Sequence, residues 1–388
     1  MTETALDFDR LFSRRVRAID ASGIRRIFEL GARLENPINL SIGQPDFPVP
    51  DAMKAATIDA IHADRNGYTL TQGTPELLRA IAAHLRTDVG WDTSRDELGV
   101  MVTSGTSGAL MLAFMAMLDE GDEAIIADPY FVIYPVLGPL SGGTIVPCDT
   151  YPDFRMTAAR VEPLITDRTR CVLVNSPGNP SGAVLSDAEM RDLVDLCTSR
   201  GILLISDEIY DEFTYAEARG ASGRCPSPAR ASDQVLLIRG FGKTYGCTGW
   251  RLGYAAGPQA LITQMMKLQQ YTFVCAPSMA QAGAAAAFGV DMSAQIDAYA
   301  RRRDLVVEAF RGVTNMVTPG GAFYGFFEVP ERLGLTASAF VERAIERRVL
   351  VIPGSAFSRR DTHVRLSFAT SEKTLRAGLE VLVELLRG

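Results

Sequence analysis

Lys243 lies in Gly240-Phe241-Gly242-Lys243-Thr244-Tyr245-Gly246, directly after the apolar run Val235-Leu236-Leu237-Ile238. That run reads as a buried strand. A lysine just past a buried strand, between small neighbours, is a reachable amine in a partly desolvated place. Desolvation disfavours the ammonium form, so such an amine is a competent nucleophile towards an aldehyde. Arg251 follows eight positions later. Three other readings stand beside this one. A P-loop needs glycine six positions before its lysine, and Leu237 is there. A dinucleotide fingerprint needs its third glycine at position 245, which is Tyr245. A lysine in a glycine-rich turn can also simply be solvated. The elements around the stretch decide between them.

From residue 98 onward, short apolar runs alternate with helical patterns. Strands are expected over 98–102, 123–127, 143–147, 169–175, 202–206 and 235–238, with another short one starting at Tyr254. Helices are expected over 51–62, 75–86, 109–118, 186–200 and 280–287, and a helix capped by Ser22 over 22–34. Strands separated by helices argue a largely parallel sheet covered on both faces. Beyond a long charged helix over 291–310, strands near 322–329, 349–352 and 364–368 read as a smaller α+β unit. The expectation is an α/β protein: a large domain over 49–290, a small C-terminal domain over 291–388, and residues 1–48 as an arm and part of the small domain.

Ligands of a parallel α/β sheet sit at the carboxyl ends of its strands. The polar residues that follow each expected strand are therefore the candidates. Ser104-Gly105-Thr106-Ser107-Gly108 opens a helix, where free N–H groups and the helix dipole suit an anion; a plain capped helix is the other reading. Phe131 offers a flat ring, for stacking or for the core. Asn175-Ser176-Pro177-Gly178-Asn179-Pro180-Ser181-Gly182 is an irregular turn carrying the Asn179 amide. Ser206-Asp207-Glu208-Ile209-Tyr210 puts a carboxylate at a buried strand end, which is costly unless a cation meets it. Pyridoxal phosphate asks for this set: a lysine for its aldehyde, a carboxylate to keep its ring nitrogen protonated, an anion pocket for its phosphate, and a ring against its face.

The chain resembles the class I/II aminotransferases, the aspartate-aminotransferase-like group of fold type I pyridoxal-phosphate enzymes. The likeness runs from about Ser13 to the C-terminus. It is carried by the Asn175–Gly182 stretch, Ser206-Asp207-Glu208-Ile209-Tyr210, Gly242 through Gly253, Gly320-Gly321-Ala322-Phe323-Tyr324 and Val364-Arg365-Leu366-Ser367-Phe368-Ala369. The resemblance implies that Lys243 is the lysine bound to the cofactor and the proton shuttle, and that Asp207 pairs with the ring nitrogen. It implies that Tyr210 and Asn179 bond the phenolate oxygen, and that Gly105, Thr106, Ser107 and Arg251 hold the phosphate. Tyr68 would reach that phosphate from the partner subunit of a homodimer with shared sites, and Phe131 would stack on the ring. Arg365 would clamp the substrate α-carboxylate, with the backbone near Gly43 closing over it. Two positions depart from the common pattern: Gly242 stands where many relatives have serine, and Ser358 follows Phe357 where many have glycine.

Composition narrows the partners. The chain has 388 residues and a net charge of −7, with a pI near 5.2, which disfavours nucleic acid. No apolar stretch reaches membrane-spanning length, so no membrane association is expected. Residues 1–15 lack an apolar core, so a secretory signal is not expected and a cytoplasmic place is. The six cysteines form no CxxC pair and the three histidines lie apart, so no metal is expected. The expected reaction is exchange of an amino group between an L-amino acid and a 2-oxo acid. A pyridoxal β-lyase could use the same lysine and aspartate. A ligand-sensing regulator on this fold would need a helix-turn-helix ahead of it, and ~20 preceding residues are too few. Ser107 is uncharged where some aspartate-specific relatives have lysine, and 269–277 carries two aromatics and no charge. Neutral or aromatic donors are therefore favoured, with 2-oxoglutarate as acceptor; aspartate specificity, with an arginine from elsewhere, is the alternative.

Overall fold

The computed structural model describes residues 6–19, 31 and 34–388. The helix expected over 22–34 lies outside the described residues, apart from Gly31 and Leu34. Strands β2 (Leu98–Ser104), β3 (Glu123–Asp128), β4 (Thr144–Asp149), β5 (Thr169–Asn175), β6 (Leu203–Asp207), β7 (Leu236–Gly240) and β8 (Leu252–Pro258) form one seven-stranded sheet. Its order is β2-β8-β7-β6-β5-β3-β4. All neighbours pair in parallel except β8, which runs antiparallel to both β2 and β7. The sequence reading had a short strand starting at Tyr254. The structure makes it seven residues long and seats it in the sheet, with Tyr254 opposite Val102 on one side and Arg239 on the other.

The central strands are apolar throughout because both faces are covered. Leu236 and Ile238 point into one layer, with Leu110, Phe114, Ile262 and Met265 of the helices Gly105–Met117 and Gln259–Thr272. Leu237 points into the opposite layer, with Leu77, Ile81, Leu193 and Ala284. Alternation along a strand assigns successive side chains to opposite faces. The helix Asp187–Arg200 starts where expected, because Ser186 and Glu189 form a reciprocal capping box.

A second layer system holds the C-terminal part. Strands β9 (Tyr324–Glu328), β11 (Ile352–Pro353) and β12 (His363–Ser367) form an antiparallel sheet in the order β11-β12-β9. The helices Ser293–Phe310 and Ala337–Glu346 pack against it, and Glu372–Arg387 buries the stripe Leu375, Leu379, Leu382 and Leu386 in the same core. The single strand expected over 349–352 is two: β10 (Val349–Leu350) pairs in parallel with β1 (Ile38–Asn39), and β11 pairs with β12. That switch ties the chain around residue 40 to the second body, and Leu40 is buried in its core with Phe323 and Leu366. Among the described residues no helix is long and apolar enough to cross a membrane.

Candidate active site

A cavity of about 320 Å³ opens at the carboxyl ends of β2, β5, β6 and β7. Among the described residues its charged lining is Asp207, Lys243, Arg251 and Arg365. Gly43, Gly105, Thr106, Ser107, Phe131, Asn179 and Tyr210 also line it, so the structure brings together all the sequence-selected residues but one. The exception is Tyr68, which is 87% exposed and stands outside the lining within this chain.

Lys243 sits in a one-turn helix, Phe241–Thr244, that follows β7. Its Nζ donates to the carbonyl oxygen of Gly43. Burial, then the nearby Arg365 and Arg251, lowers the amine from 10.5 to about 8. Asp207 ends β6 and is 2% exposed. Tyr134 Oη donates to its Oδ2 at 2.7 Å, and the Ile209 N–H donates to its Oδ1 at 3.2 Å. Burial nevertheless raises this carboxyl from 3.8 to about 6. A carboxylate held ionised only at a cost, with one face turned to a cavity, is matched to a cationic N–H from a ligand.

The helix Gly105–Met117 aims its first turn at the cavity, and its N-cap Ser104 makes no capping hydrogen bond through its side chain. The leading N–H groups are therefore free for an anion. Gly105 has φ +69°, and a Cβ there would lie 2.9 Å from Arg251 Nη2. A side chain there would strain the left-handed backbone and push the guanidinium away from the helix start. Gly242 also has a local reason: a Cβ would come within 3.2 Å of Thr248 Cα, on the turn that carries Arg251.

Arg365 is 2% exposed. Its Nη1 donates to Asn179 Oδ1 at 3.1 Å and its Nη2 to the Ser41 carbonyl at 2.8 Å. Its Nε is buried with no partner among the described residues. The guanidinium is clamped between the rings of Tyr324 and Phe357, each 4.5 Å away. Burial presses its pKa down from the ordinary arginine value. A desolvated, incompletely bonded guanidinium is a strong site for a carboxylate. An amine, a buried carboxylate, an anion-binding helix start and an incompletely bonded guanidinium thus fit pyridoxal phosphate with an amino-acid carboxylate beside it.

The sequence profile of the family described as "Aminotransferase class I and II" matches residues 35–382. The chain belongs to this family. It is a pyridoxal-phosphate-dependent aminotransferase. The aminotransferase is 34% identical to a probable aspartate aminotransferase of Methanocaldococcus jannaschii, over 97% of this chain and 100% of that one. It is 31% identical to aromatic-amino-acid aminotransferase 2 of Thermococcus litoralis, over 97% and 98%. Among solved structures, the Thermus thermophilus aspartate aminotransferase with maleate superposes with a TM-score of 0.90 at 34% identity, over 96% and 99%.

Two tyrosines of the aminotransferase's cavity had no role in the sequence reading: Tyr134 and Tyr324. Tyr134 stands three residues after Phe131 and packs edge-on against it, with ring centroids 5.7 Å apart. That helical spacing was the available signal. Tyr324 lies 3.0 Å from the Tyr210 hydroxyl and stacks on Arg365, and only the meeting of the two sheets reveals this. The departure at Ser358 also acquires a contact: its Oγ accepts from Tyr151 Oη at 3.0 Å.

Proposed function

We propose that this aminotransferase takes neutral or aromatic L-amino acids as donors and 2-oxoglutarate as acceptor. The observation that carries this is the charge inventory of the cavity. Among the described residues its cations are Lys243, Arg251 and Arg365. With the first two engaged by the cofactor, one is left for the substrate, enough for one carboxylate. A second buried carboxylate without a cation is strongly disfavoured. An uncharged donor side chain asks for no further cation; the distal carboxylate of 2-oxoglutarate does, and since Ser107 offers only a hydroxyl, that cation would come from outside these three.

Pyridoxal phosphate, when bound, supplies the aldehyde and the electron sink. The chain's own side chains do the rest. Arg365 binds the donor's α-carboxylate and orients its Cα–H towards Lys243. The Lys243 amine, deprotonated more readily than an ordinary lysine, would accept the proton from the donor's Cα. Asp207 holds a proton on the ring nitrogen. Tyr210, which burial and Tyr324 keep neutral far above the ordinary tyrosine value, donates to the phenolate oxygen together with Asn179. Gly105, Thr106, Ser107 and Arg251 hold the phosphate, Phe131 covers the ring, and the Gly43 backbone closes over the substrate.

The working unit proposed is a homodimer. Tyr68, Leu70, Tyr271 and Phe273 are exposed by 87, 59, 82 and 46%. So much apolar surface on neighbouring segments fits a second copy, and Tyr68 would enter that copy's site. Residues 49–290 are proposed as the cofactor domain, and 1–48 with 291–388 as the part that closes on it, in a cytoplasmic enzyme. Donor half-reactions of the loaded enzyme with phenylalanine, alanine and aspartate test the substrate reading. Phenylalanine or alanine should lead in kcat/KM. Aspartate ahead of both by about a hundredfold, ~2.7 kcal/mol of transition-state preference, would overturn it.

A further inference from the structure

Behind the strand ends that carry Asp207 and Lys243 lies a second set of charges, and none of them lines the cavity. Glu208 and Arg239 are 0 and 2% exposed. Arg239 Nε and Nη2 both donate to Glu208 Oε2, at 3.0 and 2.8 Å. Its Nη1 lies 2.6 Å from Asp88 Oδ2, and its Nε 3.1 Å from Asp211 Oδ2. Glu208 Oε1 accepts from the hydroxyls of Ser206 and Ser227, at 2.9 and 2.6 Å.

A network this dry is a poor device for stability alone, since well-packed apolar side chains commonly hold such a place at least as well. What a forked guanidinium supplies is fixed distance and angle. Its location makes that useful. Glu208 follows Asp207 directly, and its N–H donates to the Ile238 carbonyl at 2.8 Å. Asp207 is in register with Ile238. Arg239 is the next residue on β7, which leads into the turn bearing Lys243. The peptide after Glu208 also supplies the Ile209 N–H that orients the Asp207 carboxylate. A tilt between the ends of β6 and β7 would therefore move the carboxylate and the amine relative to each other.

We propose that Arg239 and Glu208 are positioning residues that hold the Asp207 carboxylate and the Lys243 amine in their working relation. This rests on the roles proposed above for Asp207 and Lys243. Asp88 fits a shared cation: against its burial, Arg239 and Arg230 hold it down at about 2; for Asp211 burial wins over Arg239 and raises the carboxyl.

The test uses the full-length enzyme with Arg239→Lys, Arg239→Met and Glu208→Gln. Three quantities are read: melting of the cofactor-free protein, the pH midpoint of acylation of Lys243 in that protein, and kcat and KM of the loaded enzyme. Arg239→Lys keeps the charge and loses the fork. It should melt within about 3 °C of wild type, lose about tenfold in kcat with KM changed less than about threefold, and shift the Lys243 midpoint by about half a pH unit or more. Glu208→Gln should act in the same direction. Folded variants with wild-type kcat and midpoint overturn the proposal, as does a loss of activity that tracks melting with the midpoint unmoved. If Arg239→Met fails to fold, the other two decide; if all three fail, the network is structural and the proposal is lost. Cofactor attached elsewhere than Lys243 in the wild-type protein would count against the site roles themselves.

Discussion

Tyr134 donates its hydroxyl hydrogen to Asp207 Oδ2 at 2.7 Å, from a helix start that also carries the edge contact to Phe131. This bond lowers the Asp207 carboxyl while burial raises it. Tyr134→Phe should therefore push that carboxyl above about 6 and leave the fold intact. The expected outcome is about a tenfold drop in kcat, the scale of one well-placed hydrogen bond. Carboxyl titration of the cofactor-free variant, read by infrared or NMR, checks the direction.

Asp207→Asn separates stability from activity. The carboxyl is raised from 3.8 to about 6. Between those values the folded state holds a proton that the unfolded state has released, so stability of the cofactor-free enzyme falls as pH rises through that window and stays lowered above it. An amide removes the buried charge, and the cofactor-free variant should gain on the order of 1–3 kcal/mol at pH 7. The loaded variant should lose about 10²–10³ in kcat, because an amide cannot hold the ring-nitrogen proton. Chemical denaturation and turnover measure the two effects.

Lys243 should titrate near 8 rather than 10.5. Acylation of the cofactor-free enzyme at this residue should rise steeply between pH 7 and 9, about two decades below an exposed lysine's midpoint. Between about 8 and 10.5 the unfolded chain holds the extra proton, so this group makes stability rise with pH there. Borohydride reduction of the loaded enzyme should place the cofactor's mass on Lys243, and Lys243→Ala should abolish it.

Ser107→Lys adds a further cation to the three that line the cavity among the described residues. Aspartate should gain about 10- to 100-fold in kcat/KM relative to phenylalanine, ~1.4–2.7 kcal/mol. No change in that ratio would mean that the distal group does not lie beside this helix start.

Tyr68 tests the shared site. Mixed dimers of Lys243→Ala with Tyr68→Ala should regain activity that neither parent has, because one of the two hybrid sites would be free of both changes. Subunit exchange verified by mass, without recovery, would exclude sharing.

The strand-end residues were legible in the sequence because their signal is local. An apolar run followed at once by Asp207, or by Gly242 and Lys243, states both the burial and the side of the sheet. The roles of Asn179 and Arg251, and the choice of Arg365, came from resemblance, since nothing in their own neighbourhood says what they face. The tertiary structure alone decided three things. It split 349–352 between two sheets, because β1 arrives from about 310 residues earlier in the chain to pair with Val349. It brought Tyr324 of β9 to Tyr210 and Arg365, 114 residues from the first. It also closed Arg239, Glu208, Asp88 and Asp211 into one buried set. A buried guanidinium or hydroxyl must be paired, but which partner it finds depends on how separate elements close on one another. Periodicity reports which face of an element is buried, and says nothing about what is buried against it.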